Sequence, residues 1–204
     1  MISFKNKKVI VFDLDGTLVK LAADWHHIKK ALSDRYFKIY GEKCEFKHIS
    51  GCFDYVVEKK DERELNNFFK VLEDFEMRNI SNNKEIEASI FFINNLNEFE
   101  VPNDIKLAIF SLNTRKTIIN SLKMARIYDK FDYIVGREDI RKWKPSPDGL
   151  LKIMEYFGVN REDMIYFGDL QKDIITGNNA GVESYLVEEI ISMVKKKRQE
   201  KELS

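Results

Sequence analysis

Five short apolar, β-branched runs, separated by stretches of helical periodicity, constrain this chain more than any other feature. Residues 8–13 (KVIVFD) form the first, followed by 105–111 (IKLAIFS), 131–135 (FDYIV), 163–168 (DMIYFG) and 183–187 (ESYLV). Near-continuous hydrophobicity is what a strand covered on both faces requires. Between the runs, residues 114–125 read as a helix. Another starts at Ser146-Pro147-Asp148, with Ser146 as N-cap and Pro147 at the first helical position. Gly158 is expected to end that helix, and Gly181 the segment after Asp173. Such alternation implies an α/β fold: a mostly parallel sheet with helices on both faces.

One region breaks the pattern. Residues 18–98 hold no convincing strand but several amphipathic stripes: Trp25, Ile28, Leu32, Tyr36 and Ile39; Leu65, Phe68, Phe69, Leu72 and Phe75; then Ile86, Ile90, Ile93 and Leu96. They are expected to form the core of a compact helical bundle inserted after the first strand. A length of 204 residues accommodates a core domain with such an insertion, and 44% hydrophobic content supplies a packed interior. Lys+Arg and Asp+Glu both number 34, so no global charge argues for nucleic acid or an acidic membrane as partner, and any anion site must be local. The run at 9–12 is too short for a signal-peptide core or a membrane span. Cys44 and Cys52 fit no zinc or redox spacing, and are expected to be reduced thiols in a cytoplasmic protein. The charged tail, residues 195–204, reads as a solvated helix end.

Carboxylates follow two of the apolar runs directly. Asp13-Leu14-Asp15-Gly16-Thr17 succeeds the first, where ligand sites of open α/β sheets lie, and a turn at Gly16 brings both carboxylates toward one place. Gly168-Asp169-Leu170-Gln171-Lys172-Asp173 ends the fourth. Asp13, Asp15, Asp169 and Asp173 thus gather at one sheet edge, and hard oxygen ligands in an open arrangement suit Mg²⁺ with a substrate phosphate. Ser111 ends the second run and opens a loop into a helix, a place for hydroxyl and backbone amides to cradle a phosphate. Lys144, stiffened in Trp143-Lys144-Pro145-Ser146-Pro147, is placed to neutralise carboxylates and phosphate alike. Taken singly, a strand-end serine or a lysine carries little weight.

The ordered set FDLDGT, Ser111, Lys144-Pro145 and GDxxxD resembles the haloacid dehalogenase-like hydrolase superfamily, in its phosphatase branch, across residues 8–187. The resemblance implies a Rossmann-like core of residues 1–18 and 99–204 and a mobile helical cap of residues 19–98. It implies Asp13 as a nucleophile that becomes transiently phosphorylated, and Asp15 as general acid and base. Ser111 would bind a phosphoryl oxygen, with Leu112 and Asn113 beside it, and Lys144 would hold Asp13 and the phosphate. Mg²⁺ would be bound by the Asp13 side chain, the Asp15 carbonyl and Asp169, with Asp173 in support.

Three positions depart from the family pattern without removing a catalytic group. Leu112 stands where Asn is frequent, with Asn113 next; Lys20 stands where Asp is frequent; and Leu170 replaces a small or polar residue. Asp15 favours phosphate ester chemistry over dehalogenation, since a halide leaving group needs no proton. The expected substrate is a small soluble phosphate monoester, phosphoglycolate-like or a sugar phosphate. A phosphomutase and a catalytically silent binding member are the alternatives, and monomer or dimer stays open. Trp25, His26, His27, Lys20 and Arg115 are candidates for the specificity side chains.

Overall fold

A central parallel strand has neighbours on both edges and helices on both faces, so every side chain on it must tolerate burial. All four residues of β1 (Val9–Phe12) are fully buried. The computed structural model describes residues 2–46 and 49–202. After β1 come β2 (Val19–Lys20), α1 (Trp25–Tyr40), α2 (Gly51–Glu58), α3 (Glu62–Arg78), β3 (Lys84–Glu85) and α4 (Glu87–Asn94). The chain then alternates through β4 (Lys106–Phe110), α5 (Arg115–Met124), β5 (Tyr133–Val135) and α6 (Asp148–Phe157). It finishes with β6 (Met164–Gly168), α7 (Gln171–Ala180), β7 (Glu183–Leu186) and α8 (Val187–Glu202).

The sheet order is β5-β4-β1-β6-β7, with every pairing parallel. Val11 lies opposite Ala108 on one side and Tyr166 on the other. Side chains alternate between two apolar layers, as the pleat demands. Val9, Val11, Ala108, Phe110 and Tyr166 face α6 residues Leu150 and Ile153. Ile10, Phe12, Ile109 and Phe167 face Ile118 and Leu122 of α5 and Ile190 and Val194 of α8.

Helices α1–α3 build an aromatic cluster of their own. Phe53 stands 5.4 Å from Phe46 and 5.8 Å from Phe68, measured between ring centres. Trp143, beyond the sheet, meets Phe53 at 5.6 Å and Phe69 at 6.2 Å. Burying one such ring contributes about 2–3 kcal/mol, so this seam fastens the helical insertion to the sheet domain.

Several local expectations are revised. The insertion does contain strands: β2 and β3 pair antiparallel, Val19 opposite Glu85. Helix α4 packs against α8, and Phe92 and Ile93 enter the layer beneath the sheet rather than the cluster of α1–α3. Leu96 falls in a short 3₁₀ turn, and Ile39 is exposed. Helix α6 begins one residue later than expected, with Pro147 at the N-cap, and Ser146 Oγ donates to Asp148 Oδ1 at 2.7 Å.

The expectation of two reduced thiols is corrected: Cys44 and Cys52 are joined as a disulfide, their Cα atoms 6.2 Å apart. An eight-residue separation alone does not reveal the pairing. Gly158 and Gly181 do end α6 and α7, both at positive φ. The tail continues α8 to Glu202, and its last two residues lie outside the described ones. Among the described residues no helix is long and apolar enough to cross a membrane.

Candidate active site

Parallel strands deliver their carboxyl ends to one edge of the sheet, and the turns that follow them build the site. After β1, the Asp13 N–H donates to Phe167 O at 2.8 Å, which keeps Asp13 in register with the sheet. The chain then folds back sharply, with Gly16 at φ +80°. A Cβ on Gly16 would collide with the Asp169 carboxylate, so only glycine lets the first turn pass so close to the loop after β6. The turn also aims Asp15, whose Oδ1 accepts from the Leu21 N–H at 2.9 Å.

Ser111 and Asn113 share a buried loop after β4. Ser111 Oγ donates to Asn113 Oδ1 at 2.9 Å, and the Asn113 N–H returns a bond of 3.3 Å to Ser111 Oγ. Lys144 is buried between Asp173 Oδ1 (2.8 Å) and Asp13 Oδ1 (3.1 Å), above the Phe110 and Tyr166 rings. Asp173 is fully engaged: Tyr166 OH donates to its Oδ1 at 2.7 Å and the Leu170 N–H to its Oδ2 at 3.0 Å. Asp13 is not. Lys144 is near enough to pair with it electrostatically but poorly aligned, and the buried Oδ1 of Asp13 receives no hydrogen bond.

The electrostatics follow from one buried ammonium among four carboxylates. Burial works against ionised Asp173, but Lys144 and the donated hydrogen bonds outweigh it and lower its pKa. Lys144 is held above its ordinary value, burial being outweighed by Asp13 and Asp173. Asp13 is raised, first by burial and further by Asp173, with Lys144 only partly opposing. Asp15 is pushed up to about 6, by burial first and Asp13 after it, against the Leu21 N–H. Asp169 rises to about 7, through burial and then Asp13, Asp173 and Asp15.

Asp13, Asp169 and Asp173 each offer an oxygen within 4.8 Å of the others, a group able to hold a metal ion. Three close carboxylates with two raised pKa values carry more negative charge than Lys144 neutralises. A divalent cation would relieve that excess, so the residues fit one. The Asp15 side chain stands outside this group, turned to Leu21.

All eight residues singled out by sequence line one cleft of about 380 Å³: Asp13, Asp15, Ser111, Leu112, Asn113, Lys144, Asp169 and Asp173. Trp25 joins them from α1. The other specificity candidates do not. Lys20, His26 and His27 are exposed, and His27 Nδ1 is bound to Asp24 Oδ2 at 2.5 Å. Arg115 is committed to Asp139 Oδ2 (2.6 Å) and Ile134 O (2.7 Å).

Sequence reasoning missed Lys29, Ser50, Arg137 and Lys172 in the cleft lining, and Glu76 behind it. Glu76 is buried at the end of α3 and accepts from Asn113 Nδ2 (3.0 Å), the Thr114 N–H (3.1 Å) and Thr114 Oγ1 (3.0 Å). A signal existed, since Glu76 lies four residues beyond Leu72 on the apolar stripe of α3. Arg137 likewise follows β5 by two residues, at the strand-end edge that carries the rest of the site.

Similar sequences and a similar fold occur in known proteins. The pyrophosphatase PpaX of Halalkalibacterium halodurans is 39% identical over 82 residues. That match takes in 40% of this chain, and the chain spans only 38% of that relative's length. The pyrophosphatase PpaX of Oceanobacillus iheyensis is 28% identical over 188 residues, 88% of this chain and 83% of its own. A solved structure from Bacteroides fragilis, described as a haloacid dehalogenase-like hydrolase, shares the fold at a TM-score of 0.59 and 23% identity, over 87% of this chain and 86% of its own. The family model for haloacid dehalogenase-like hydrolases matches residues 10–187, a span that opens inside β1, runs through every strand end described above and closes just after β7. The chain belongs to that family.

Proposed function

We propose that the protein is a magnesium-dependent phosphatase that hydrolyses a small phosphate monoester through a phosphorylated Asp13. The observation that carries this reading is the buried Asp13–Lys144–Asp173 arrangement, in which Asp13 alone keeps an oxygen without a hydrogen-bond donor. Relatives named pyrophosphatase support phosphoryl chemistry at such a site. Asp13, Asp169, the Asp15 carbonyl and Asp173 would hold Mg²⁺, which supplies neutralisation of the phosphate oxygens.

In the first step an Asp13 carboxylate oxygen attacks phosphorus in line, and the bond from phosphorus to the leaving oxygen breaks. Asp15, protonated, gives that oxygen its proton. In the second step Asp15 takes a proton from water, the water oxygen bonds to phosphorus, and Asp13 departs as free carboxylate. A pKa of about 6 leaves Asp15 able to serve in both directions near neutral pH. Ser111 Oγ and Lys144 meet the phosphoryl oxygens, and the Leu112 and Asn113 amides complete the cradle.

In the same reading, the inserted segment 19–98 works as a cap over the core of 1–18 and 99–204. Trp25 and Lys29 from α1 and Ser50 just before α2 close the cleft from its side. Helix α4 is packed on α8, whereas α1–α3 meet the core through the Trp143 seam and the Glu76 hydrogen bonds, so any cap motion has to part those contacts. A cleft of about 380 Å³ suits a small molecule. The test is hydrolysis of p-nitrophenyl phosphate by wild type and Asp13→Asn, with Mg²⁺ and with EDTA. Turnover that needs Mg²⁺ and vanishes in Asp13→Asn is expected; activity retained in the variant overturns the nucleophile, and activity retained in EDTA overturns the metal.

A further inference from the structure

Arg137 is an anomaly in this site. Its residue is 2% exposed, yet Nε and Nη1 are buried without any hydrogen-bond acceptor. Among the described residues no carboxylate lies within ion-pairing distance of it, and the Phe53 ring stands 5.6 Å from the guanidinium carbon. Burial pulls its pKa down, with the more distant charges of Glu76 and Glu138 opposing. A guanidinium nonetheless keeps its proton. A buried, charged and unpaired group is among the most costly arrangements a fold can hold, and a partner that arrives with a ligand removes the cost.

The backbone holds Arg137 firmly in place. Its N–H donates to Asn113 O at 3.0 Å, and its carbonyl accepts from Trp143 Nε1 at 3.1 Å. The side chain therefore projects from a fixed point into the lining of the cleft that contains Asp13. Lys172 shares that lining. Among the described residues, neither Lys172 nor Lys29, also in the lining, has an ion pair, whereas Lys144 is committed to two carboxylates. The cleft thus carries cationic capacity beyond what one phosphoryl group and Lys144 require.

Position separates Arg137 from the scissile group. Asp13 follows β1 and Arg137 follows β5, and β4 lies between them. Neighbouring strands are spaced about 4.8 Å apart, so the two backbones stand roughly two spacings from one another. Ser111, at the end of the intervening β4, occupies the nearer place.

We propose that Arg137 is a specificity-determining residue that receives a second oxyanion of the substrate, a phosphoryl or carboxylate group next to the phosphoryl group that Asp13 attacks. The preferred substrates are then phosphate compounds with two anionic ends. This rests on the phosphatase reading above for which end reacts. Fork-shaped recognition by the guanidinium suits either oxyanion.

Arg137→Met and Arg137→Lys test it with Mg²⁺ present. Three substrates are compared: inorganic pyrophosphate, 2-phosphoglycolate and p-nitrophenyl phosphate, the last without a second charge. In Arg137→Met, kcat/KM for at least one doubly anionic substrate, relative to p-nitrophenyl phosphate, falls about 10–100-fold, chiefly through KM. Arg137→Lys recovers part of the loss. Whether the phosphoryl or the carboxylate arm falls identifies the oxyanion. Without ligand, Arg137→Met melts at or above the wild-type temperature, because an unpaired buried charge has been replaced by an apolar chain.

Equal losses on all three substrates, an unchanged ratio, or a lowered melting temperature overturns the proposal. If wild type hydrolyses none of the three, the phosphatase reading has failed. The inference is then read from binding: inorganic pyrophosphate raises the melting temperature of Asp13→Asn, and an equal rise in Asp13→Asn/Arg137→Met overturns it.

Discussion

Asp169→Asn should make the metal-free protein more stable at pH 8. The Asp169 carboxyl rises from 3.8 to about 7, burial coming first among the causes, followed by its acidic neighbours. Because the fold holds the proton more tightly than the unfolded chain does, stability is complete below the unfolded value of 3.8 and is lost as pH rises through about 7. A shift of roughly three units corresponds to about 4 kcal/mol. Asp169 is half-buried, and screening by water reduces this to about 2 kcal/mol. Asparagine preserves the size and removes the charge.

In EDTA at pH 8, Asp169→Asn should therefore unfold some 4–8 °C above wild type, using about 2–4 °C per kcal/mol for a chain of this size. At pH 5 the advantage shrinks to about a third, since wild-type Asp169 then keeps its proton in the fold. Added Mg²⁺ should reverse the order at pH 8, because it stabilises only a protein that retains the ligand. Thermal unfolding by circular dichroism at both pH values, in EDTA and in Mg²⁺, measures all of this. An Asp169→Asn protein no more stable than wild type in EDTA at pH 8, or a gap equal at pH 5 and pH 8, refutes the account of excess negative charge.

Two further substitutions probe the architecture around these carboxylates. Gly16→Ala places a Cβ against the Asp169 carboxylate at a backbone position with φ +80°. It should lower stability by about 2 kcal/mol in urea titration and reduce p-nitrophenyl phosphate turnover at least about 100-fold; near-normal turnover would mean that Asp169 is not held where the chemistry needs it. Glu76→Ala strips the buried acceptor from Asn113 and Thr114, and should cost about 2–4 kcal/mol. Glu76→Gln, which keeps an acceptor oxygen, should cost about half as much in the same titration. Equal effects of the two would show that packing, not hydrogen bonding, fixes that junction.

The catalytic edge was legible because its signals are local. A doubly covered strand writes itself as an unbroken apolar run, and residues placed just beyond it inherit the strand-end position, so Asp13, Ser111 and Asp169 could be placed without knowing strand order. Tertiary facts were not legible. Periodicity identifies the apolar face of α4 but not what covers it, and α8 does so from about a hundred residues away in the chain. Two-residue strands such as β2 and β3 are too short to leave a period. Glu76 and Arg137 were missed because charge is ordinarily a surface signal; only the fold shows one supplied with three donors and the other with two nitrogens that find no acceptor.

The unequal treatment of Asp13 and Asp173 is the feature that ties the fold to the chemistry. Both stand within reach of the same ammonium, and a symmetric site would divide it evenly. Tyr166 OH and the Leu170 N–H instead complete Asp173, so that Asp173 holds Lys144 in position and is itself kept ionised. Asp13 receives charge compensation from Lys144 without a hydrogen bond that would bind up its lone pairs. A nucleophilic carboxylate needs this combination, since a fully satisfied oxygen would have to break a bond before attacking phosphorus. Replacing Tyr166 with Phe removes a donor from the Asp173 oxygen that Lys144 also serves, so it should draw the ammonium toward Asp173 and away from Asp13, and lower p-nitrophenyl phosphate turnover without touching the nucleophile; that follows only from the asymmetry, not from the presence of the four motifs.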